Sequence, residues 1–146
     1  MILPDVNLLL YAVDREAPQH SAARKWLEET LSGGEDVRLA WMVILAFLRL
    51  STLRARSAQP MTIDAAFSIM QGWLDHPSVS IAQPGPEHAR ILRRLLTQAG
   101  RGGNLTTDAH LAALAIEYDA ELCSSDNDFA RFPGLRWRNP LQRSLK

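Results

Sequence analysis

A chain of 146 residues, 47% apolar and 22% charged, has the size and composition of one soluble globular domain with a sizeable core. Sixteen basic residues balance sixteen acidic ones, so net charge alone makes no case for nucleic-acid binding, and the single cysteine, Cys123, excludes an internal disulfide framework or a cysteine-rich zinc site. The longest uncharged apolar run, Leu39 to Leu48, falls short of the roughly 20 residues a bilayer span needs. Asp5 interrupts the first apolar run with no basic segment before it, so no membrane association and a cytoplasmic location are expected.

Ile2-Leu3 begins a short buried strand that ends at Asp5, and Val6 to Ala12 reads as the first helix. A second helix covers about Ser21 to Leu31. Ala23, Trp26, Leu27, Thr30 and Leu31 fall on one face, and Ser32-Gly33-Gly34 stops it. Val37 to Ala40 is a candidate strand, followed by a helix from Met42 to Arg54 that is rich in Leu and Ala. Ser57-Ala58-Gln59-Pro60 is a linker. Thr62 is placed to cap the next helix, whose apolar face is Ile63, Ala66, Phe67, Met70 and Leu74.

Val79-Ser80-Ile81 alternates as a strand does, Pro84-Gly85-Pro86 punctuates, and Glu87 to Ala99 is a helix closed by Gly100. The loop Arg101-Gly102-Gly103-Asn104 leads to a helix capped by Thr106 or Thr107 and running to about Tyr118. Its inward residues are Leu111, Leu114, Ala115 and Tyr118. Glu121 to Ser124 and Leu135 to Trp137 complete the strands. Helices alternating with strands predict an α/β fold: one domain over 1–146 with a parallel central sheet flanked by helices.

Three apolar runs pass straight into aspartate: Met1-Ile2-Leu3-Pro4-Asp5, Asn104-Leu105-Thr106-Thr107-Asp108 and Ala120-Glu121-Leu122-Cys123-Ser124-Ser125-Asp126. In a parallel sheet, ligands bind outside the carboxyl ends of the strands, where all three would open. Gathered carboxylates repel one another and resist desolvation. A fold that collects them suits a hard cation, and oxygen-only ligands select Mg²⁺ or Mn²⁺ over zinc. Asp128 and Asn7 are close enough in sequence to add outer contacts. Each aspartate also has a purely structural reading, with Asp5 and Asp108 as helix N-caps and Asp126 as an Asx-turn residue. His20, His76, His88 and His110 show no metal-binding spacing and read as packing or surface residues, and most of the tryptophans read as core. Local basic stretches are Arg49, Arg54 and Arg56; Arg90, Arg93, Arg94 and Arg101; and Arg131, Arg136, Arg138, Arg143 and Lys146 after the last acid.

Asp5-Val6-Asn7-Leu8-Leu9-Leu10-Tyr11, Leu105-Thr106-Thr107-Asp108-Ala109-His110 with the Leu/Ala run after it, and Ser124-Ser125-Asp126-Asn127-Asp128-Phe129-Ala130-Arg131-Phe132 together resemble the PIN domain of VapC-type toxins. The resemblance covers nearly the whole chain. It implies a compact α/β/α domain, Mg²⁺- or Mn²⁺-dependent endoribonuclease activity as the toxin of a type II toxin–antitoxin system, an RNA substrate, a cognate VapB-type antitoxin and a homodimer. Carried over by motif, Asp5, Asp108 and Asp126 would form the metal site with Asp128 in support, and Asn7 and Thr107 would be its neighbours. The antitoxin is expected near Trp26 to Leu31 and Met42 to Leu53. One departure stands out. Many family members carry a glutamate in the helix after the second strand, where this chain aligns Ala46, and no acid occurs between Asp36 and Asp64. That absence supports an alternative, a degenerate PIN domain that only binds protein or RNA.

Overall fold

The computed structural model describes residues 1–57 and 59–142. Ala58, Arg143 and Lys146, which the sequence places in a linker and a basic tail, lie outside the described residues. Five strands are joined by helices: β1 (Ile2–Pro4), β2 (Val37–Ala40), β3 (Val79–Ala82), β4 (Glu121–Cys123) and β5 (Trp137–Arg138). The helices are α1 (Val6–Val13), α2 (His20–Ser32), α3 (Trp41–Ser51), α4 (Ile63–Leu74), α5 (His88–Ala99) and α6 (Leu105–Glu117). A short 3₁₀ turn, Asn127–Arg131, follows β4.

All strand pairs are parallel, in the order β3-β2-β1-β4-β5. The central strands β1 and β4 are buried on both faces, which is why Ile2-Leu3 and Leu122-Cys123 read as continuous apolar runs rather than alternating ones. Leu3, Leu122 and Cys123 are fully buried, as are Leu8 and Leu9 of α1, Phe47 of α3 and Leu111 and Leu114 of α6. Each large side chain of this kind contributes about 1.5–3 kcal/mol by leaving water. Burial also pushes the Cys123 thiol up to about 12, so it behaves as a small hydrophobe.

From β1 the chain builds outward to β2 and β3. It then returns to the other side of β1 to lay down β4 and β5. The reversal point is therefore the gap between β1 and β4, the place where open parallel sheets leave a crevice for ligands. The register sets Pro4 beside Cys123, so the residues that leave the two strands, Asp5 and Ser124, emerge side by side.

The helices follow the predicted pattern with three local departures. Helix α3 ends at Ser51, short of Arg54, where the Thr52 hydroxyl donates back to the Leu48 carbonyl and competes with a further turn. Helix α6 starts at Leu105, before either threonine. The Gly102 and Gly103 carbonyls accept the first amides, so no threonine cap is used. Ile63 and Phe67 of α4 share a face as expected but are exposed, together with Trp41 and Leu45 of α3. Trp26 and Leu31 of α2 instead pack against the core.

Candidate functional site

Asp5 ends β1 and caps α1. Its backbone amide donates to the Cys123 carbonyl at 2.9 Å, and its Oδ1 accepts from the Val6 amide at 2.7 Å. Its Oδ2 accepts from the Ser124 hydroxyl at 2.8 Å. Ser124 is fully buried and joins both sides of the crevice. Besides donating to Asp5, its Oγ accepts from Asn7 Nδ2 at 3.1 Å and from the Asp126 amide at 3.0 Å. One donor and two acceptor positions are thus all engaged. Asn7 Oδ1 in turn accepts from the Ser125 amide at 3.4 Å. The capping reading of Asp5 holds, and the same residue is also fixed at the sheet edge.

Asp126 behaves in the same way. Its Oδ1 accepts from the Asp128 amide at 2.9 Å and starts the 3₁₀ turn, which swings Asp128 back beside it. Asp108 lies in the first turn of α6 and is not its cap. Oxygens of Asp108, Asp126 and Asp128 lie within 4.8 Å of one another, with Asp108 and Asp126 half-buried and Asp128 exposed. The sequence places Asp5 in this set and Asp128 in support. The tight triplet instead contains Asp128, while Asp5 stands beside it, tied to the Asp126 backbone through Ser124.

The charges are close enough to perturb one another. Burial, followed by repulsion from Asp5, Asp126 and Asp128, raises the Asp108 carboxyl to about 6. Burial is also the largest cause of the upward shift at Asp5; the Ser124 and Val6 hydrogen bonds oppose it, and the Asp126 charge adds to it. Repulsion of this kind is what a bound cation relieves. The all-oxygen donor set fits Mg²⁺ or Mn²⁺ and offers nothing soft for other metals.

A cavity of about 280 Å³ opens beside two members of the triplet, lined by Arg101, Gly102, Asn104, Leu105, Asp108 and Asp128. Thr107 makes no side-chain hydrogen bond to the cluster among the described residues. Ala46 is half-buried in α3 and brings no carboxylate. The role of Ser124 escaped the sequence reading. Its only signal is its position one residue past an apolar strand and two before Asp126. His88 and His110 are packing residues, as expected. His88 Nε2 lies 2.9 Å from His110 Nδ1 and latches α5 to α6, and burial lowers the His110 pKa.

The PIN domain family matches residues 2–135. Ribonuclease VapC37 of Mycobacterium tuberculosis is 44% identical over 140 residues, covering 96% of this chain and 97% of that protein. Ribonuclease VapC33 of the same organism is 44% identical over 142 residues, covering 97% and 99%. Among solved structures, FitAB bound to an IR36 DNA fragment superposes with a TM-score of 0.72 at 18% identity, covering 99% of each chain. VapBC2 from Rickettsia felis bound to a promoter DNA fragment gives 0.69 at 19%, covering 95% and 98%. At those identities the structural likeness speaks for the fold alone. With the family match spanning most of the chain and close relatives aligned nearly end to end, this chain belongs to the PIN-domain family, among the VapC proteins.

Proposed function

We propose that the protein is a divalent-cation-dependent endoribonuclease and the toxin of a type II toxin–antitoxin pair. The observation that carries this reading is the convergence of Asp108, Asp126 and Asp128, with Asp5 alongside, at the reversal point of the sheet, in a chain 44% identical to a named ribonuclease. Asp108, Asp126 and Asp128 would hold Mg²⁺ or Mn²⁺, and Asp5 would complete the acidic wall. When bound, such an ion lowers the pKa of a coordinated water and stabilises charge on a phosphoryl oxygen. The protein's own part is orientation. Ser124 fixes Asp5 and the Asp126 backbone together, and the Asp126 cap aims Asp128.

An antitoxin of the VapB type and a second copy of the chain are the proposed protein partners, in the cytoplasm. Exposed Trp41 and Leu45 on α3 and Ile63 and Phe67 on α4 support a protein-binding face there. The α2 segment expected to share it is turned into the core. No helix among the described residues is long and apolar enough to cross a membrane.

Incubation of structured and single-stranded RNAs with the protein in Mn²⁺ or Mg²⁺ tests the activity. Internal cleavage that stops in EDTA and weakens steeply as salt rises is expected, because phosphate contacts are screened. Ala46 favours one other reading, a binding module without catalysis. RNA binding without cleavage in either ion would select it.

A further inference from the structure

The acidic triplet leaves an unsolved problem for any RNA reading. A bound divalent ion would offset the repulsion between these carboxylates and the scissile phosphate, but a basic side chain beside the triplet would hold the strand even before the ion is in place. The cavity beside the triplet supplies one. Arg101 lines it together with Asp108 and Asp128, and among the described residues it is the only basic residue that does so. Among the described residues Arg101 makes no ion pair, a state it shares with Arg15, Arg49, Arg54, Arg56, Arg93 and Arg94, none of which lines the cavity, whereas Arg131 is paired with Asp128 at 3.4 Å.

Its backbone setting is also specific. Gly100 at φ +74° and Gly103 at φ +62° form two left-handed corners on either side of the Arg101-Gly102 segment, a path that side-chain-bearing residues resist. Gly100 closes α5, and the Gly102 and Gly103 carbonyls start α6. The arginine is therefore anchored between two helix ends rather than on a free loop. Asn104, at the N-cap position, does not turn its side chain onto the helix as an ordinary cap would. Asn104 is one of the residues that line the same cavity.

We infer that Arg101, assisted by Asn104, holds a phosphodiester of the RNA strand in the cavity beside the acidic triplet and so positions the scissile linkage. This rests on the ribonuclease reading above. Guanidinium suits the task because its planar fork matches two phosphate oxygens and it keeps its charge at every working pH. Arg101 is a positioning residue here, distinct from the carboxylates.

The test compares wild type, Arg101→Ala, Arg101→Lys and, as a charge-matched control, Arg24→Ala, whose residue pairs with Glu28 on α2. Two readouts are used: fluorescence anisotropy of a labelled single-stranded RNA in EDTA over a salt series, and cleavage kinetics in Mn²⁺. Arg101→Ala should weaken RNA binding about tenfold, the effect of losing a charge-assisted contact. It should lower the salt slope by about 1. In cleavage, KM should rise more than kcat falls, and Arg101→Lys should recover part of the binding. Arg24→Ala should bind as wild type does. The Mn²⁺-induced rise in melting temperature should be the same in all four proteins, which separates strand holding from damage to the acidic site. Wild-type cleavage with unchanged binding, slope and KM in Arg101→Ala would overturn this assignment and leave the nuclease reading intact. Wild type that neither binds nor cuts RNA would overturn both.

Discussion

Asp108→Asn is expected to make the ion-free protein more stable and its RNA cleavage at least about 100-fold slower. The two effects have one cause. Asp108 is held at about 6 by burial and by the charges of Asp5, Asp126 and Asp128. A carboxyl whose pKa is raised on folding contributes stability that is fully present below its unfolded value of 3.8 and is lost as pH rises through about 6. At neutral pH the ion-free protein carries that repulsion, and an amide of the same shape removes it. Asp108 is about half exposed, so solvent screening limits the gain to about 1 kcal/mol or less. Removing even outer-shell partners of metal sites typically costs about 10–100-fold in activity or affinity, and loss of a donor in the site itself should exceed that. A stability gain paired with an activity loss is the signature of a residue kept for function.

The same titration predicts a pH dependence. Protons compete with the cation for Asp108, so cleavage in limiting Mn²⁺ should fall as pH drops through about 6. The melting-temperature rise produced by Mn²⁺ should be larger at pH 7.5 than at pH 5. Calorimetry at the two pH values, with Asp108→Asn beside wild type, checks both statements. Equal Mn²⁺ shifts at both pH values would show that Asp108 does not face the ion.

Ser124→Ala is the second large effect, and it works through position rather than charge. The hydroxyl donates to Asp5 Oδ2 and accepts from Asn7 Nδ2 and the Asp126 amide, all from a fully buried site. Alanine fills nearly the same space and strands all three partners. Each unsatisfied group costs about 1–3 kcal/mol. Asp5, Asn7 and Asp126 are only half-buried and recover part of this from water, so a loss of roughly 2–3 kcal/mol is expected. Activity should fall by about 10–100-fold, as outer-shell partners usually require. Urea unfolding and RNA cleavage measure the two. A stability change within about 0.5 kcal/mol, the range of an ordinary surface substitution, would show that the hydroxyl is not the link between the two strand ends.

Much of this was legible in the sequence. The five strands and six helices follow from apolar runs and 3.6-residue periodicity, and the parallel sheet follows from their alternation. Asp5 and Asp126 could be placed at one edge because each ends a buried run, and the structure puts both at the gap between β1 and β4. The hub role of Ser124 was not legible, because it depends on Pro4 lying beside Cys123. Strand register is a long-range property that no local pattern encodes. The starting point of α6 was missed for a related reason. Backbone carbonyls of Gly102 and Gly103 replace the side-chain cap that the threonines advertised. Ile63 and Phe67 teach a third lesson: periodicity identifies an apolar stripe but not what covers it, and here nothing among the described residues does. Trp41, which lies near Arg38 in sequence and apart from the tryptophans that read as core, is exposed on the neighbouring helix.

The absent helix acid bears on the central claim. With Ala46 where the family often has a glutamate, the proposed cation would depend on the remaining carboxylates, and Asp108, Asp126 and Asp128 are the ones whose oxygens lie within 4.8 Å of one another. Isothermal titration of Mn²⁺ into wild type, Asp108→Asn and Asp126→Asn at pH 7.5 tests this most directly. Saturable binding to wild type that is lost or weakened at least tenfold in both variants is the predicted result. Absence of binding to wild type, or equal binding to all three proteins, would contradict it.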